Sequence, residues 1–280
     1  MDFDQFIKEA APSLNLQWRR FKRGGIKRKV EHRIADLRLP TFEDYLVKVK
    51  KDPEEKSRLS QILTVTITRF FRDRKVFDIL ESSIIPTVAQ NKGEGDLKIW
   101  SIGCANGEEP YSLSMLWKEK FEKDLPGIRL TLIATDINEN LLVRAREGRY
   151  KESALKEIPE GIIQRFFKKD GRSYILDPSV RESVEFKKHD IIHEDPFSGM
   201  DIIFCRNLAF TYFSKECQVD VLKKIASSLR KNGYLVIGGD ESLPLAYPTL
   251  FVPILPTERI YQKFDPESLT LSLSAPQTAS

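Results

Sequence analysis

The stretch IWSIGCANGEEPYSLSM, residues 99–115, decides the fold. Its apolar start meets Gly103, a second glycine follows at Gly107, and helix-forming residues come next. A strand, a glycine turn and a helix in this order are typical of a nucleotide-binding βα unit. The turn lacks the Gly-x-Gly-x-x-Gly and Gly-Lys-Ser/Thr motifs, and the carboxylates of Glu108 and Glu109 would repel a phosphate. The sequence therefore indicates a nucleotide-like ligand that does not depend on phosphate groups.

Alternating apolar strands and helices surround this unit from about residue 95 onward. The predicted strands cover residues 97–102, 130–136, 184–190, 201–207 and 234–239, with a terminal pair near 251–255 and 259–264. The predicted helices lie near residues 108–121, 138–147 and 215–230. This alternation predicts an α/β fold with a mostly parallel sheet and helices on both faces. Residues 150–183 interrupt it with a helix over GIIQRFFKK and a strand over RSYIL, which indicates a small insertion.

The first 75 residues are predicted to form a small N-terminal helical domain. One helix covers FEDYLVKVK and another runs through SRLSQILTVTITRFF. The inward face of the second helix consists of Leu59, Ile62, Leu63 and Ile67. We therefore expect a helical domain over 1–75, the α/β domain over 76–264, and a disordered Ser/Thr-rich tail over 265–280.

Composition excludes several classes of protein. The net charge of +4 is too small to indicate that the whole surface attracts nucleic acid. The three cysteines are odd in number and far apart, and the three histidines form no ligand motif, so we expect a reducing compartment and no metal site. No apolar run approaches the ~20 residues of a membrane span. The chain opens with acidic residues instead of a secretory signal. We expect a cytoplasmic protein without membrane insertion.

Acidic and amide side chains recur at the carboxyl ends of the predicted strands, where ligands bind in open α/β sheets. Asp136 ends the second strand, and an acid there commonly binds ribose hydroxyls. A ligand with a ribose, an adenine and a positive charge, such as S-adenosylmethionine, suits this site, because Glu108 or Glu109 could pair with its ammonium. Both features also have structural explanations, since acids complement a helix dipole and Asp136 could cap the next helix.

Four stretches, in this order along the chain, resemble the chemotaxis-receptor methyltransferase (CheR) family. They are TRFFRD (68–73), IWSIGCANGEEPYS (99–112), ATDIN (134–138) and FCRN…YF (204–213). The resemblance implies a Rossmann-like methyltransferase domain with a seven-stranded sheet whose last strand is antiparallel. It also implies S-adenosylmethionine as cofactor, S-adenosylhomocysteine as product, and methylation of glutamate side chains on a protein.

The resemblance also implies roles for individual residues. Arg72 would orient the substrate carboxylate, and Tyr212 would lie near the transferred methyl group. The cofactor-binding residues would be Thr66, Thr68, Arg72, Glu108, Glu109, Asp136, Asp190, Ile191, Arg206 and Asn207. Structural alternatives exist here too, since Arg72 could pair with Asp73 and Tyr212 could serve only in packing. Methyl transfer to a carboxylate needs no strong base, because the carboxylate is already ionised at neutral pH.

The basic stretch at residues 17–33 holds eight Lys or Arg against one Glu. By resemblance it would dock an acidic protein substrate, such as a receptor helix, through Arg19, Arg20, Arg23, Lys27, Arg28 and Arg33. A solvated surface and a nucleic-acid contact are the alternatives, of which the nucleic-acid contact is the weakest. We expect a monomer.

The chain departs from the family at one place near the substrate. Four residues separate Asn207 from Tyr212, where the family usually has three. Cofactor binding is still expected despite this departure, but the identity of the methyl acceptor stays open. The alternatives are a methyltransferase of the same fold that acts on another protein side chain, a small molecule or RNA, and a cofactor-binding regulatory protein without catalysis.

Overall fold

The computed structural model describes residues 1–17, 23–64, 68–245 and 247–264, with only the backbone described for residues 23 and 24. Within these ranges, ten strands form two sheets. They are β1 (Gly95–Ile102), β2 (Ile128–Asp136), β3 (Arg149–Lys151), β4 (Phe167–Asp170), β5 (Ser173–Leu176), β6 (Val184–Lys188), β7 (Met200–Cys205), β8 (Leu229–Ile237), β9 (Phe251–Leu255) and β10 (Ile260–Lys263). The main sheet has the order β6-β2-β1-β7-β8-β10-β9.

The described helices cover both faces of this sheet and build the N-terminal part. They are α1 (Phe3–Ser13), α2 (Arg23–Asp36), α3 (Phe42–Lys51), α4 (Pro53–Leu63), α5 (Arg74–Ile79), α6 (Ile85–Lys92), α7 (Glu108–Lys120), α8 (Glu139–Glu147), α9 (Glu160–Phe166), α10 (Pro178–Arg181), α11 (Ala209–Tyr212) and α12 (Lys215–Ser228). A π-helical turn, Leu80–Ile84, joins α5 to α6. None of the helices in the described ranges has both the length and the apolar character needed to cross a bilayer.

The main sheet is parallel except at one side. β1 pairs in parallel with β2 and β7, while β10 runs antiparallel to both β8 and β9. Every residue of β7 is buried, as expected for a central strand covered on both faces. The prediction of a mostly parallel seven-stranded sheet with an antiparallel end is confirmed. The parallel strands therefore present their carboxyl ends at one edge, where the predicted site residues lie.

The helix predicted over SRLSQILTVTITRFF is shorter than expected. Asp52 caps its start through the backbone N–H groups of residues 54 and 55, and Pro53 occupies the first turn. The helix α4 ends at Leu63, and Thr64 is already extended. β-branched residues follow at 64–68, and these have low helix propensity, which explains the early end. Leu59 and Leu63 are fully buried as predicted, whereas Ile67 lies outside the described residues.

The insertion folds as a small antiparallel sheet with the order β3-β5-β4. The helix predicted over GIIQRFFKK is correct only for its first part, because α9 ends at Phe166 and Phe167 begins β4. Phe167 pairs with Leu176, and its ring meets that of Phe70 edge-on at 5.3 Å. Tertiary pairing with β5 thus overrides the local helical pattern.

The N-terminal helices share one apolar cluster with a face of the main sheet. This cluster includes Phe6, Tyr45 and Leu59 as well as Trp100 and Ile203. An isolated antiparallel bridge between Leu16 and Phe213 joins the segment after α1 to the α/β fold. The division into domains at residue 75 stays a prediction, and the described helices are packed directly onto the sheet.

Candidate active site

A cleft of about 630 Å³ opens between the N-terminal helices and the carboxyl ends of the parallel strands. One wall comes from α4 and from the segment that follows α1, and the other comes from the loops after β1, β2, β6 and β7. The predicted residues Thr68, Arg72, Glu109, Asp136, Asp190, Ile191, Arg206, Asn207 and Tyr212 all line it. The structure therefore brings residues from four distant sequence motifs to one place.

The glycine turn after β1 folds onto the end of β2. The N–H groups of Gly103 and Cys104 both donate to the Thr135 carbonyl, at 2.8 and 2.9 Å. Gly107 has a φ of +88°, and a Cβ added there would lie about 3 Å from Tyr111, Ala145 and Phe186. Only glycine meets both demands without strain. The turn is thus shaped by backbone conformation and close packing.

Asp136 is buried at the base of the cleft and has backbone partners only. Its Oδ2 accepts from the Ala105 N–H at 3.0 Å, and its Oδ1 accepts from the Asn138 N–H at 2.9 Å. Burial raises the pKa of this carboxyl above its usual value, while the backbone hydrogen bonds oppose the rise. No cation pairs with it among the described residues. The lone pairs that remain on its oxygens suit the two hydroxyl donors of a ribose.

The two adjacent glutamates of the glycine turn have different surroundings. Glu109 lines the cleft, with Oε1 accepting from Ser101 at 2.8 Å and Oε2 accepting from Arg206 at 3.1 Å. Glu108 does not line it, because successive side chains on a helix point about 100° apart. Glu108 is only 4% exposed, and its Oε2 has no hydrogen-bond partner in the described structure. Burial raises its pKa to about 7. Of the two predicted candidates, Glu109 is therefore the one placed to pair with an ammonium.

Arg206 joins three of the sequence motifs. Its guanidinium donates to Glu109, to the Asp73 carboxylate and, at 3.0 Å, to the Arg72 carbonyl. The side chain is nearly fully buried, so these bonds form in a low-dielectric setting. Arg206 thus holds the 68–73 segment against the glycine turn through Nη1 and Nη2, whereas its buried Nε has no partner in the described structure. Thr66, which was predicted to contact the cofactor, lies outside the described residues.

The loop after β6, residues 189–195, carries Asp190 and Ile191, which were predicted to contact adenine. Asp190 accepts from the Ile192 N–H at 2.9 Å and lies 2.7 Å from Nδ1 of His193. His189 is buried and meets Trp100 edge-on at 5.4 Å. A planar adenine could enter between this polar edge and the apolar Ile191.

No group of three or more His, Cys, Asp or Glu in the described ranges could hold a metal ion.

The turn after β7 carries Asn207 and Tyr212. Asn207 has a left-handed φ of +56°. Its N–H donates to the Glu241 carboxylate at 2.8 Å, and the Thr211 hydroxyl donates to the same carboxylate at 2.6 Å. The extra residue of this turn is accommodated in one helical turn, α11, whose Phe210 is buried. Burial and hydrogen bonds on both sides therefore fix the conformation of this turn.

The segment after α1 holds the same turn from the opposite side. The Gln17 N–H donates to the Tyr212 carbonyl at 2.7 Å, and its side-chain amide donates to the Phe213 carbonyl at 2.5 Å. The Ser214 N–H donates to the Asn15 carbonyl at 2.7 Å. Gln17, like Glu241, was not predicted from the sequence. For Glu241 a signal existed, since this acid follows β8 at the carboxyl edge, where the other predicted acids were found.

The predicted docking residues are only partly described. Arg19 and Arg20 lie outside the described residues, as does the side chain of Arg23. Lys27 and Arg28 are exposed on α2, opposite its buried face. Arg33 pairs within the molecule, because its guanidinium donates to the buried carboxylate of Glu55 at 2.6 and 3.0 Å, and its role in docking stays a prediction. The Tyr45 hydroxyl donates to the same carboxylate at 2.8 Å, so Arg33 stabilises the contact between α2 and α4.

Comparison with known proteins places this arrangement among methyltransferases. Residues 66–258 match the family described as CheR methyltransferase, SAM binding domain. The chain is 31% identical to a chemotaxis protein methyltransferase of Listeria monocytogenes over 86% of this chain and 90% of the relative. It is 33% identical to chemotaxis protein methyltransferase 1 of Pseudomonas aeruginosa over 65% of this chain and 68% of the relative. It is also 32% identical, over 90% of its own length, to an uncharacterized 104.1 kDa protein of Rhodobacter capsulatus. The chain spans only 26% of that relative.

Proposed function

Because the chain belongs to the CheR methyltransferase family and is an S-adenosylmethionine-dependent methyltransferase, we propose that it methylates glutamate carboxylates on a protein. The relatives named above as chemotaxis protein methyltransferases support a protein substrate. The observation that carries the proposal is that acidic and basic side chains line the same cleft. We propose that Glu109, Asp136 and Asp190 face the cofactor and that Lys56 and Arg72 face the acceptor.

The acidic side suits the cofactor. Asp136 offers free lone pairs to the ribose hydroxyls, Glu109 offers a carboxylate to the methionine ammonium, and the loop at 189–195 offers a wall to the adenine. When bound, S-adenosylmethionine supplies a methyl group on a positively charged sulfur. Glu109 would share its carboxylate between that ammonium and Arg206, since each oxygen can accept more than one hydrogen bond.

The basic side suits a carboxylate acceptor. Lys56 of α4 and Arg72 line the cleft, and Lys27 and Arg28 lie exposed on α2. Arg72 would bind the acceptor carboxylate and align one oxygen with the methyl group, while Tyr212 would form the opposite wall. Alignment of this kind contributes several kcal/mol to a displacement, roughly 7–11 at the limit. No general base is needed, because a glutamate is ionised at neutral pH.

The nature of the methyl linkage tests this proposal. Labelled S-adenosylmethionine is incubated with the protein and with proteins extracted from the source cells, and the labelled product is treated with mild alkali. A glutamate methyl ester is expected to release its label as volatile methanol under these conditions. A label that resists alkali would indicate transfer to nitrogen and would contradict the proposal, as would label found only in RNA or small molecules.

A variant at Arg72 separates acceptor alignment from cofactor binding. Arg72→Met is expected to lower the rate of ester formation by at least about a hundredfold, which corresponds to about 3 kcal/mol, and to change binding of S-adenosylhomocysteine much less. Arg74→Met is the matched control, because Arg74 is exposed nearby and pairs with Asp78. Equal rates for the two variants would show that Arg72 has no role in aligning the acceptor.

A further inference from the structure

Lys224 of α12 makes an unusual set of contacts with the loop after β6. Its ammonium donates to the carbonyls of Ile191, Ile192 and Glu194, at 3.1, 2.8 and 2.7 Å. An ammonium group has three N–H donors, so this one loop uses all of them. Lys224 is half-buried and has no carboxylate partner in the described part of the chain. Its charge is thus balanced by backbone carbonyl dipoles.

The loop that Lys224 holds is part of the cleft, whereas Lys224 itself is not. Residues 189–193 line the cleft between the end of β6 and the glycine turn. The neighbouring lysine, Lys223, is exposed and lies 3.9 Å from Asp220 on its own helix. The two adjacent lysines therefore differ in their contacts: Lys224 donates to the loop after β6, whereas Lys223 pairs within α12.

We propose that Lys224 is a positioning residue for the adenine wall, which acts through the three carbonyls and fixes the conformation of Asp190 and Ile191. This inference rests on the proposed role of Asp190 and Ile191 in adenine binding. The three carbonyls converge on one point, so without a cation their dipoles repel one another. Lys224 offsets this repulsion and preorganises the loop, which lowers the ordering cost of cofactor binding.

Other contacts of the loop do not replace this one. The N–H groups of His193 and Glu194 bond to the Asp190 carbonyl, and Nε2 of His189 lies 3.0 Å from the Asp195 carbonyl. These bonds hold the loop to itself, the His189 N–H ties its start to the Asp136 carbonyl at 3.2 Å, and Lys224 links its later part to α12. Removal of the ammonium is therefore expected to shift residues 190–194 relative to the glycine turn, while the start of the loop stays bonded to Asp136.

The test is a calorimetric titration of the full chain with two ligands that share an adenosine. The ligands are S-adenosylhomocysteine and 5′-methylthioadenosine, and the variants are Lys224→Met, Lys224→Arg and the control Lys223→Met. Lys224→Met is expected to weaken both ligands by the same factor, about tenfold, since both lose the same adenine contacts. Lys224→Arg is expected to recover most of the affinity, and Lys223→Met is expected to match the wild type.

Each other outcome has a defined meaning. Unchanged affinity in a folded Lys224→Met would overturn the inference, and so would a larger loss for S-adenosylhomocysteine than for 5′-methylthioadenosine, which indicates general loosening. If Lys224→Met does not fold, Lys224→Gln decides by the same criterion, since it loses the charge but keeps an amide donor. Absence of binding to the wild type would instead contradict the cofactor site itself and, with it, the adenine wall.

Discussion

The turn after β7 lies beside the buried Glu241, and the turn after β1 lies beside the buried Glu108. The two carboxyl groups differ in their hydrogen-bond partners. Glu241 beside the first turn accepts hydrogen bonds from the N–H groups of Asn207 and Gly238 and from the Thr211 hydroxyl. Glu108 in the second has an Oε2 without a partner in the described structure. Burial raises the pKa of both. At Glu108 only its own backbone N–H opposes the rise, whereas at Glu241 the Thr211 hydroxyl, two backbone N–H groups and the charge of Arg206 oppose it.

This difference separates two kinds of support for one cleft. Glu241 links the end of β8 to the turn that carries Asn207 and Tyr212, so it acts as a structural anchor of that turn. Glu108 lies at the start of α7 beside the glycine turn, and burial raises its pKa to about 7. We therefore expect a loss of Glu241 to be costly at every pH and a loss of Glu108 to matter only as the pH rises.

Glu241→Leu is expected to have the largest effect. The substitution leaves two buried N–H groups without partners, and each costs roughly 1–3 kcal/mol, so the free energy of unfolding should fall by about 4 kcal/mol. Urea unfolding measures this loss, with Glu147→Leu as a control because Glu147 is exposed. A loss below about 1 kcal/mol would show that Glu241 does not anchor the turn.

Glu108→Gln is expected to alter the pH dependence of stability. Because burial raises the pKa of Glu108 from 4.5 to about 7, the unfolded chain loses this proton first. The contribution of Glu108 to the free energy of unfolding therefore falls as pH rises from 4.5 to about 7 and stays low above that. The glutamine variant lacks this fall of about 3 kcal/mol, so its stability relative to the wild type should rise between pH 5 and pH 8. Parallel pH profiles of the two proteins would contradict the assignment.

Gly238→Ala tests the packing around the Glu241 anchor. An added Cβ would lie 2.6 Å from the side-chain Nδ2 of Asn207 and 2.9 Å from Oε2 of Glu241. We expect the free energy of unfolding to fall by about 2 kcal/mol, the usual range for overpacking. Gly239→Ala is a close control, because a Cβ there meets nothing within 4 Å. Equal thermal stability of the two variants would mean that the turn accommodates the added Cβ without a loss in unfolding free energy.

Thr211→Val is expected to have the smallest effect. It removes one hydrogen bond to Glu241 and keeps the shape of the side chain, so the loss in unfolding free energy should be about 1 kcal/mol. Measured in the Glu241→Leu background, the same substitution should have almost no effect, because its partner is absent. Additive losses in this double-mutant cycle would show that the two residues do not act together.

Much of the fold follows from local pattern in the sequence. The apolar run before Gly103 and the acids at strand ends predicted β1, the glycine turn and the position of Asp136. Two predictions failed, one because local helix propensity is low and one because a tertiary contact overrides it. The helix α4 stops at a run of β-branched residues, and Phe167 leaves a helical pattern to pair with Leu176.

The site could be predicted as a set of residues but not as a set of contacts. Nothing in the order Glu108–Glu109 tells which side chain faces the cleft, because this depends on how α7 is rotated against β1. The commitment of Arg206 to Glu109, like that of Arg33 to Glu55, joins residues far apart in the sequence. Lys224 had no signal at all, since a lysine in a helix normally points to solvent.

The most direct test of the whole account is calorimetric titration of the wild type and of Asp136→Ala with S-adenosylhomocysteine. Asp136 lines the cleft, accepts two backbone hydrogen bonds, and keeps lone pairs that we propose bind the ribose. The account predicts micromolar binding to the wild type and at least a hundredfold loss, about 3 kcal/mol, in a variant that remains folded by circular dichroism. Equal affinity of the two proteins, or no binding to the folded wild type, would contradict it.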